Sequence, residues 1–183
     1  MSKRIFDIVF AFIGVAVFFI PWVIIACSIK IDDMGAVFFL QQRLGKNRKP
    51  FFICKFRSMA ESKITRVGYW IRKTGIDESL QFINVLKGDM SMVGPRPFTE
   101  SDLEKLGWTD LNLHWRWRVK PGITGFAQIY EPRATRKSLA KDRYDVLNTS
   151  CWREFRWVVL SFAMNILGKQ SIRNILLKHQ KGH

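Results

Sequence analysis

The chain of 183 residues has thirty Lys and Arg against only fifteen Asp and Glu, and two of those scarce acids, Asp77 and Glu78, are adjacent. They lie between Arg72 and Lys73 on one side and Lys87 and Arg96 on the other. Carboxylates among cations can serve as a nucleophile, as a general acid or base, or as ligands to a hard metal ion that handles phosphate. A plainer role is also open, because acids in a helix's first turn satisfy exposed N–H groups and the positive end of the dipole. Farther along, Pro95 and Pro97 fix φ on either side of Arg96. Its guanidinium therefore projects from a stiff turn, which suits anion recognition as well as an ordinary surface turn. Other chemistries lose support. There is no GxSxG, Walker loop or GxGxxG, and His114, His179 and His183 lack metal-ligand spacing. Cys27, Cys54 and Cys151 are odd in number and form no CxxC pair, which argues for reduced thiols in a cytosolic setting rather than a disulfide scaffold or zinc site.

The elements that must position these residues begin with an apolar run. From Ile8 to Ile29 no residue is charged, and as a helix those positions cover roughly 33 Å, enough to span a bilayer. Yet Lys3 and Arg4 precede the run, and Lys30, Arg43, Lys46, Arg48 and Lys49 follow it. Both ends then prefer the cytoplasmic side. Pro21 removes a helical hydrogen bond and can bend the helix. A re-entrant helix that dips into the membrane and returns satisfies both facts. A plain spanning helix with a tolerated proline, or an export signal ending near Cys27, are the alternatives. The net charge of +15, 48% apolar content and seven Trp exclude disorder and call for an anionic partner, either nucleic acid or an anionic membrane surface.

There is no internal repeat or low-complexity stretch. Ala36 to Arg43 and Phe51 to Phe56 read as a hairpin around a basic turn. Ile64 to Lys73 reads as a basic amphipathic helix, interfacial or core-packed. Ile76 to Lys87 reads as a helix ending at Gly88, with Asp77 and Glu78 in its first turn. Leu103 to Val119 carries Trp108, Trp115 and Trp117 beside Arg116, Arg118 and Lys120, a pattern suited to stacking nucleobases or to lipid headgroups. Lys120 to Gly125 is a second rigid turn. Cys151 to His183 reads as an interfacial helix, with a core helix as the alternative. The expected fold is one α/β domain, mostly helical with a small β-hairpin. It is divided into a re-entrant membrane anchor at 1–31 and a catalytic domain at 32–183 on the cytoplasmic face, with amphipathic interfacial helices.

Four segments occur in a telling order: Lys55-Phe56-Arg57-Ser58-Met59, Ile76-Asp77-Glu78-Ser79-Leu80-Gln81, the run from Ile83 to Pro97, and Pro121-Gly122-Ile123-Thr124-Gly125-Phe126-Ala127-Gln128. In these the chain resembles the bacterial sugar transferases, the monotopic phosphoglycosyl transferases, from the N-terminal anchor to about Asp145. The resemblance implies transfer of a phosphosugar from a UDP-sugar to undecaprenyl phosphate through a covalent aspartyl-phosphosugar intermediate, with release of UMP. This would be the first membrane step of polysaccharide or glycoprotein glycan assembly. It makes Asp77 the nucleophile and ligand of Mg²⁺, Glu78 its acidic partner, and Lys55, Arg57 and Arg96 the phosphate-binding cations. Asp145 would assist nucleotide or metal, and Pro21 would kink the membrane helix. UDP-sugar, undecaprenyl phosphate and anionic lipids are the implied partners at the bacterial inner membrane, with no nucleic acid and a homodimer left open.

Three positions depart from the family pattern. Ile20 stands where a Ser usually precedes the bending proline, Leu80 replaces a proline after the acidic pair, and Tyr130-Glu131-Pro132-Arg133 replaces a Gly-Arg-Asn-like segment that bears on sugar or nucleotide selectivity. The basic flanks and Pro21 predict that Ser2 and Ile31 both face the cytoplasm. Single-cysteine labelling in intact cells checks this, and a periplasmic label at either position rules out the re-entrant arrangement.

Overall fold

A computed structural model describes residues 3–109, 112–131 and 134–167. Helix α1 (Lys3–Asp33) is an unbroken helical run of 31 residues with Pro21 inside it. Its buried positions, Phe6, Asp7, Ala11, Gly14, Ile25 and Ile29, recur at three- and four-residue steps on either side of the proline, so one stripe faces the protein along the helix. The other side is bare: Phe12, Phe19, Ile20 and Ile24 are 60–69% exposed. Among the described residues α1 is the one helix long and apolar enough to cross a membrane.

Strands β1 (Phe38–Leu44) and β2 (Pro50–Phe56) form the expected antiparallel hairpin, with Lys55 opposite Phe39. A two-residue pair follows, β3 (Met59–Ala60) with β4 (Lys63–Ile64). The side chain of Thr65 then caps α2 (Arg66–Thr74) by accepting from Gly68 N–H. The helix is two-sided, with one face on the core. Ile71 is buried, whereas Tyr69 and Trp70 are exposed. Helix α3 (Gln81–Lys87) leads to β5 (Ser91–Val93). Past α4 (Glu100–Lys105) and α5 (His114–Trp117), β6 (Gly122–Thr124) pairs with β5 in parallel. A Cβ on Gly122 would come 2.1 Å from the backbone nitrogen of Gly94, so this crossing requires glycine. Helices α6 (Phe126–Tyr130), α7 (Arg136–Leu147) and α8 (Cys151–Leu167) complete the described chain. Among the described residues the protein is mostly helical with three two-stranded sheets. The part of the expected C-terminal helix beyond Leu167 lies outside the described residues, as do Ser2, Pro132 and Arg133.

Both ends of α1 are tied to the rest of the molecule. At the start, Lys3 Nζ donates to Glu154 Oε1 (2.6 Å) and the Val93 carbonyl (3.2 Å). Arg4 donates to the Val85 and Leu86 carbonyls (2.7 and 2.9 Å), covering orphan acceptors at the C-terminal end of α3. Buried Asp7 accepts from Ser91 Oγ (2.8 Å) and Met92 N–H (2.9 Å). At the far end Asp32 accepts from Val67 N–H (3.3 Å), while Asp33 accepts from Gly35 N–H (3.0 Å) and pairs with Arg57. The Gly35 amide and the Arg57 guanidinium together hold the Asp33 carboxyl below its ordinary range. The first turns of α1 share a core cluster with Val85, Met90, Met92 and Trp157, and its last turns share another with Phe56, Ile71 and Leu80.

The tryptophan-rich stretch differs from expectation. Trp108 is 5% exposed and packs edge-on against Phe98 at 5.5 Å, while Trp115 and Trp117 are partly buried against the same cluster. Arg116 is not a surface cation: it is 3% exposed, ion-paired with Asp142 of α7, and lies 4.8 Å from the Phe98 ring centre. It also donates to the carbonyl of Arg96. Long-range packing, invisible to a local count of aromatics and cations, turned the stretch inward. Arg116→Ala would strand the Asp142 carboxylate in the core and should cost about 3–5 kcal/mol in denaturant unfolding, whereas the joint change Arg116→Met with Asp142→Leu should recover most of that loss.

Candidate active site

The acidic pair sits on a turn. Helix α2 ends where Gly75 takes φ 74°, a left-handed conformation that glycine adopts without strain. The chain then enters a 3₁₀ turn over Ile76–Glu78. Hydrogen bonds from Glu78 to Gly75, Ser79 to Ile76, Phe82 to Ser79 and Ile83 to Leu80 all close over three residues. The single helix expected from Ile76 to Lys87 is therefore a 3₁₀ segment followed by the short α3. The cause is local: Ser79 Oγ donates to the Ile76 carbonyl at 2.6 Å, occupying the acceptor that a continuing α-helix would offer to the Leu80 amide. Leu80, at the position where the family pattern has proline, is 2% exposed and fills the core between α1, β2 and α2.

Asp77 and Glu78 are both half-buried. Lys55, on β2, donates to Glu78 Oε1 at 2.6 Å. Burial pushes the Asp77 carboxyl up, the adjacent charge of Glu78 pushes it further, and Lys55 and Arg72 pull against both. Among the described residues, Asp77 takes part in none of the ion pairs. The result is a half-buried carboxylate with a like charge beside it and two cations close by. Such an anion is open to an electrophile or a hard cation.

The structure brings Lys55 to this pair and gives the other expected phosphate ligands additional surroundings. Arg57 Nε donates to the Ala36 carbonyl at 2.6 Å and its Nη2 pairs with Asp33, so it binds the end of α1 to the end of β2. Arg96 is exposed between Pro95 and Pro97. Its carbonyl is held by buried Arg116, and its charge acts on Asp142. Asp145 is not a helix-surface charge: it is 9% exposed, one oxygen accepting from Trp157 Nε1 (2.9 Å) and the other from Phe126 N–H (3.1 Å). It joins α6, α7 and α8 and lines a small cavity with Lys3, Gly94, Pro95, Arg153 and Glu154.

Two positioning residues escaped the sequence reading. Asn84 of α3 donates from Nδ2 to the Phe52 carbonyl (2.7 Å) and accepts at Oδ1 from Cys54 N–H (3.3 Å). Its side chain acts as a strand on the edge of β2 and fixes the distance between Lys55 and the acidic turn. Arg116 fixes the Pro-Arg-Pro turn through its backbone. An Asn inside a helical pattern and an Arg among tryptophans carry no local signal for either role.

Among the described residues no three His, Cys, Asp or Glu side chains gather as a metal centre. Mg²⁺ does not need three, since it binds through one or two carboxylates completed by substrate phosphates and water. The neighbouring, half-buried carboxylates of Asp77 and Glu78 suit it.

The profile of a family described as bacterial sugar transferase matches residues 1–168. The chain is 38% identical over 169 residues to a UDP-N-acetylgalactosamine-undecaprenyl-phosphate N-acetylgalactosaminephosphotransferase of Aeromonas hydrophila, covering 82% of this chain and 40% of that protein. It is 34% identical over 190 residues to the UDP-glucose:undecaprenyl-phosphate glucose-1-phosphate transferase of Escherichia coli (strain K12), covering 92% of this chain and 41% of the other. A protein with the same activity in its name from Caulobacter vibrioides is 32% identical over 180 residues, covering 87% of this chain and 67% of the relative. The chain thus spans about two-fifths of the length of the first two relatives. With the profile matched from α1 to α8 and the acidic turn inside the match, the chain belongs to the bacterial sugar transferase family.

Proposed function

We propose that this protein transfers a phosphosugar from a UDP-sugar to undecaprenyl phosphate, with Asp77 as the nucleophile. The observation that carries the proposal is the half-buried carboxylate of Asp77, engaged in none of the ion pairs among the described residues, beside the Lys55–Glu78 ion pair on a turn fixed between α2 and α3. An Asp77 oxygen attacks the sugar-linked phosphorus. A P–O bond forms, the diphosphate bridge breaks, and UMP departs with the bonding electrons. An oxygen of undecaprenyl phosphate then attacks the aspartyl-bound phosphorus, freeing the carboxylate and forming a lipid diphosphate sugar. Both steps bring anions together, so neutralisation is the main requirement. Lys55 is placed to hold Glu78 and to face incoming phosphate, and Arg96 offers an exposed guanidinium on a rigid turn. Bound Mg²⁺, held by Asp77 with Glu78 beside it, would neutralise diphosphate charge. The relatives' names differ in the sugar, N-acetylgalactosamine in one and glucose in another, so the proposal rests on the phosphate chemistry that these names share.

The same reading seats the protein on the cytoplasmic face of the inner membrane, with α1 as a re-entrant anchor. At about 1.5 Å per residue α1 is roughly 46 Å long if straight. Lys3 and Arg4 at its start and Asp32 and Asp33 at its end nonetheless touch the same protein body. A body on one side of a bilayer cannot hold both ends of a spanning helix, and this supports a monotopic arrangement.

Asp77→Asn should abolish both UMP release and the covalent phosphosugar adduct while the protein stays folded, since Asp77 takes part in none of the ion pairs among the described residues and the amide keeps the shape of the side chain. Glu78→Gln should slow turnover severely. Arg96→Ala should cost about 2–4 kcal/mol of transition-state stabilisation. Intact-protein mass spectrometry and UMP release, over a panel of UDP-sugars with Mg²⁺ and undecaprenyl phosphate, are the measurements. An adduct that persists in Asp77→Asn removes Asp77 from the mechanism.

A further inference from the structure

Halfway along α1, one residue after Pro21, the Trp22 indole N–H donates to Ser79 Oγ at 2.7 Å. The Ser79 hydroxyl in turn donates a hydrogen bond to the Ile76 carbonyl at 2.6 Å. Ser79 is 9% exposed, and it follows Glu78 directly in the turn whose first peptide carbonyl it grips. The indole is half-buried against the cluster that contains Ile25, Phe56, Ile71 and Leu80. A donor, a relay hydroxyl and a backbone acceptor thus run in series from the long apolar helix to the peptide preceding Asp77.

The neighbours of Trp22 explain why this link senses α1. Phe19, Ile20, Val23 and Ile24, on the helix's outer side, are 51–69% exposed, so whatever covers that side sets where α1 rests. Pro21 donates no N–H to the preceding turn, so the helix is softest at the point where the link leaves it. Burial makes the link strict, because a serine hydroxyl and an indole N–H away from water must keep their partners. A shift of α1 therefore moves Ser79 and, through the Ile76 carbonyl, the 3₁₀ turn.

We propose that Trp22 is a positioning residue for Asp77, acting through Ser79, and that by this link the seating of α1 in its lipid regulates the nucleophile. The proposal rests on the transferase reading above, and it adds to that reading a route by which the membrane controls turnover. Trp22 does not touch the reacting atoms. It holds the turn at the one tightness that presents the Asp77 oxygen, and small misplacements of a nucleophile are costly in rate.

The test uses Trp22→Phe, which keeps an aromatic ring in the cluster but removes the N–H, and Ser79→Ala, which removes the relay. Each should lower kcat by about tenfold to a hundredfold with KM for the sugar nucleotide nearly unchanged, as loss of positioning does. The double variant should be no slower than the slower single, because the two groups form one unit. In phosphatidylglycerol vesicles of short and long acyl chains the full-length protein should change its turnover several-fold, and Trp22→Phe should flatten that response. Singles with normal kcat, a double slowed multiplicatively, a loss confined to KM, or a wild-type rate indifferent to acyl length overturn the proposal. The Trp22 indole N–H resonance, which should move upfield in Ser79→Ala, reads the hydrogen bond without turnover. A wild type that keeps this resonance shift yet releases no UMP from any UDP-sugar defeats the transferase reading and the regulatory role together, whereas active protein with unaffected variants defeats the link alone.

Discussion

The docking of α1 on α3 is the contact on which the site depends. Helix α3 is seven residues long, too short to hold itself in water, and the turn bearing Asp77 is held from one end by it. Tertiary contacts supply what local propensity does not. Gly14 lets the two helices approach so closely that a Cβ there would lie 2.8 Å from the Phe82 ring, Arg4 caps the last carbonyls of α3, and Asn84 fastens its other side to β2. The apolar helix is in this sense part of the scaffold that holds the acidic turn. Its first turn carries the cations, and Asp7 the buried carboxylate, that bind it to α3, β5 and α8.

Electrostatics sharpen the point. In a chain with an excess of fifteen positive charges, most described carboxylates already have partners. Asp102 meets Arg43, Glu131 meets Lys141, Asp142 meets Arg116 and Glu154 meets Lys3. Asp145 uses an indole and an amide, and Asp7 uses a hydroxyl and an amide. Asp77 instead stands between burial, a like charge and two nearby cations. In the proposed mechanism the nucleophile must keep an oxygen available, whereas Asp145 has both of its oxygens engaged by its own fold.

What could be read from the sequence follows from the range of the signal. The hairpin was legible because strand residues flank a basic Gly-containing turn within a few positions, and α2 because apolar residues recur among cations from Ile64 to Lys73. Asp77 and Glu78 stood out by their scarcity and their neighbours. Ser79 broke the expected helix through a side-chain bond to Ile76 that periodicity does not encode. The β5–β6 pair joins segments about thirty residues apart and too short to show alternation. Trp108 and Arg116 looked like a surface stripe because local counting cannot tell that α7 supplies Asp142 to neutralise the guanidinium. The structural partners of Asp145 were hidden for the same reason: Phe126 and Trp157 come from two other helices.

The exposed side of the molecule ties these parts to the proposed reaction. Helix α8 lies beside α1, with Phe10 6.0 Å from Phe155 and Phe18 6.4 Å from Phe162 between ring centres, and both helices leave apolar residues uncovered. Trp70 has Lys73 5.3 Å from its ring centre, and Tyr144 has Arg153 5.4 Å from its own. Aromatic rings with cations over them suit a boundary where hydrocarbon meets phosphate headgroups. In the proposed reaction the acceptor is itself amphiphilic, a phosphate on a long hydrocarbon chain, and its phosphate must reach Asp77 while its tail stays in lipid. A catalytic turn joined by Trp22 to the middle of the apolar helix meets that demand, because the element that would rest in the hydrocarbon is the one that fixes the nucleophile beside it.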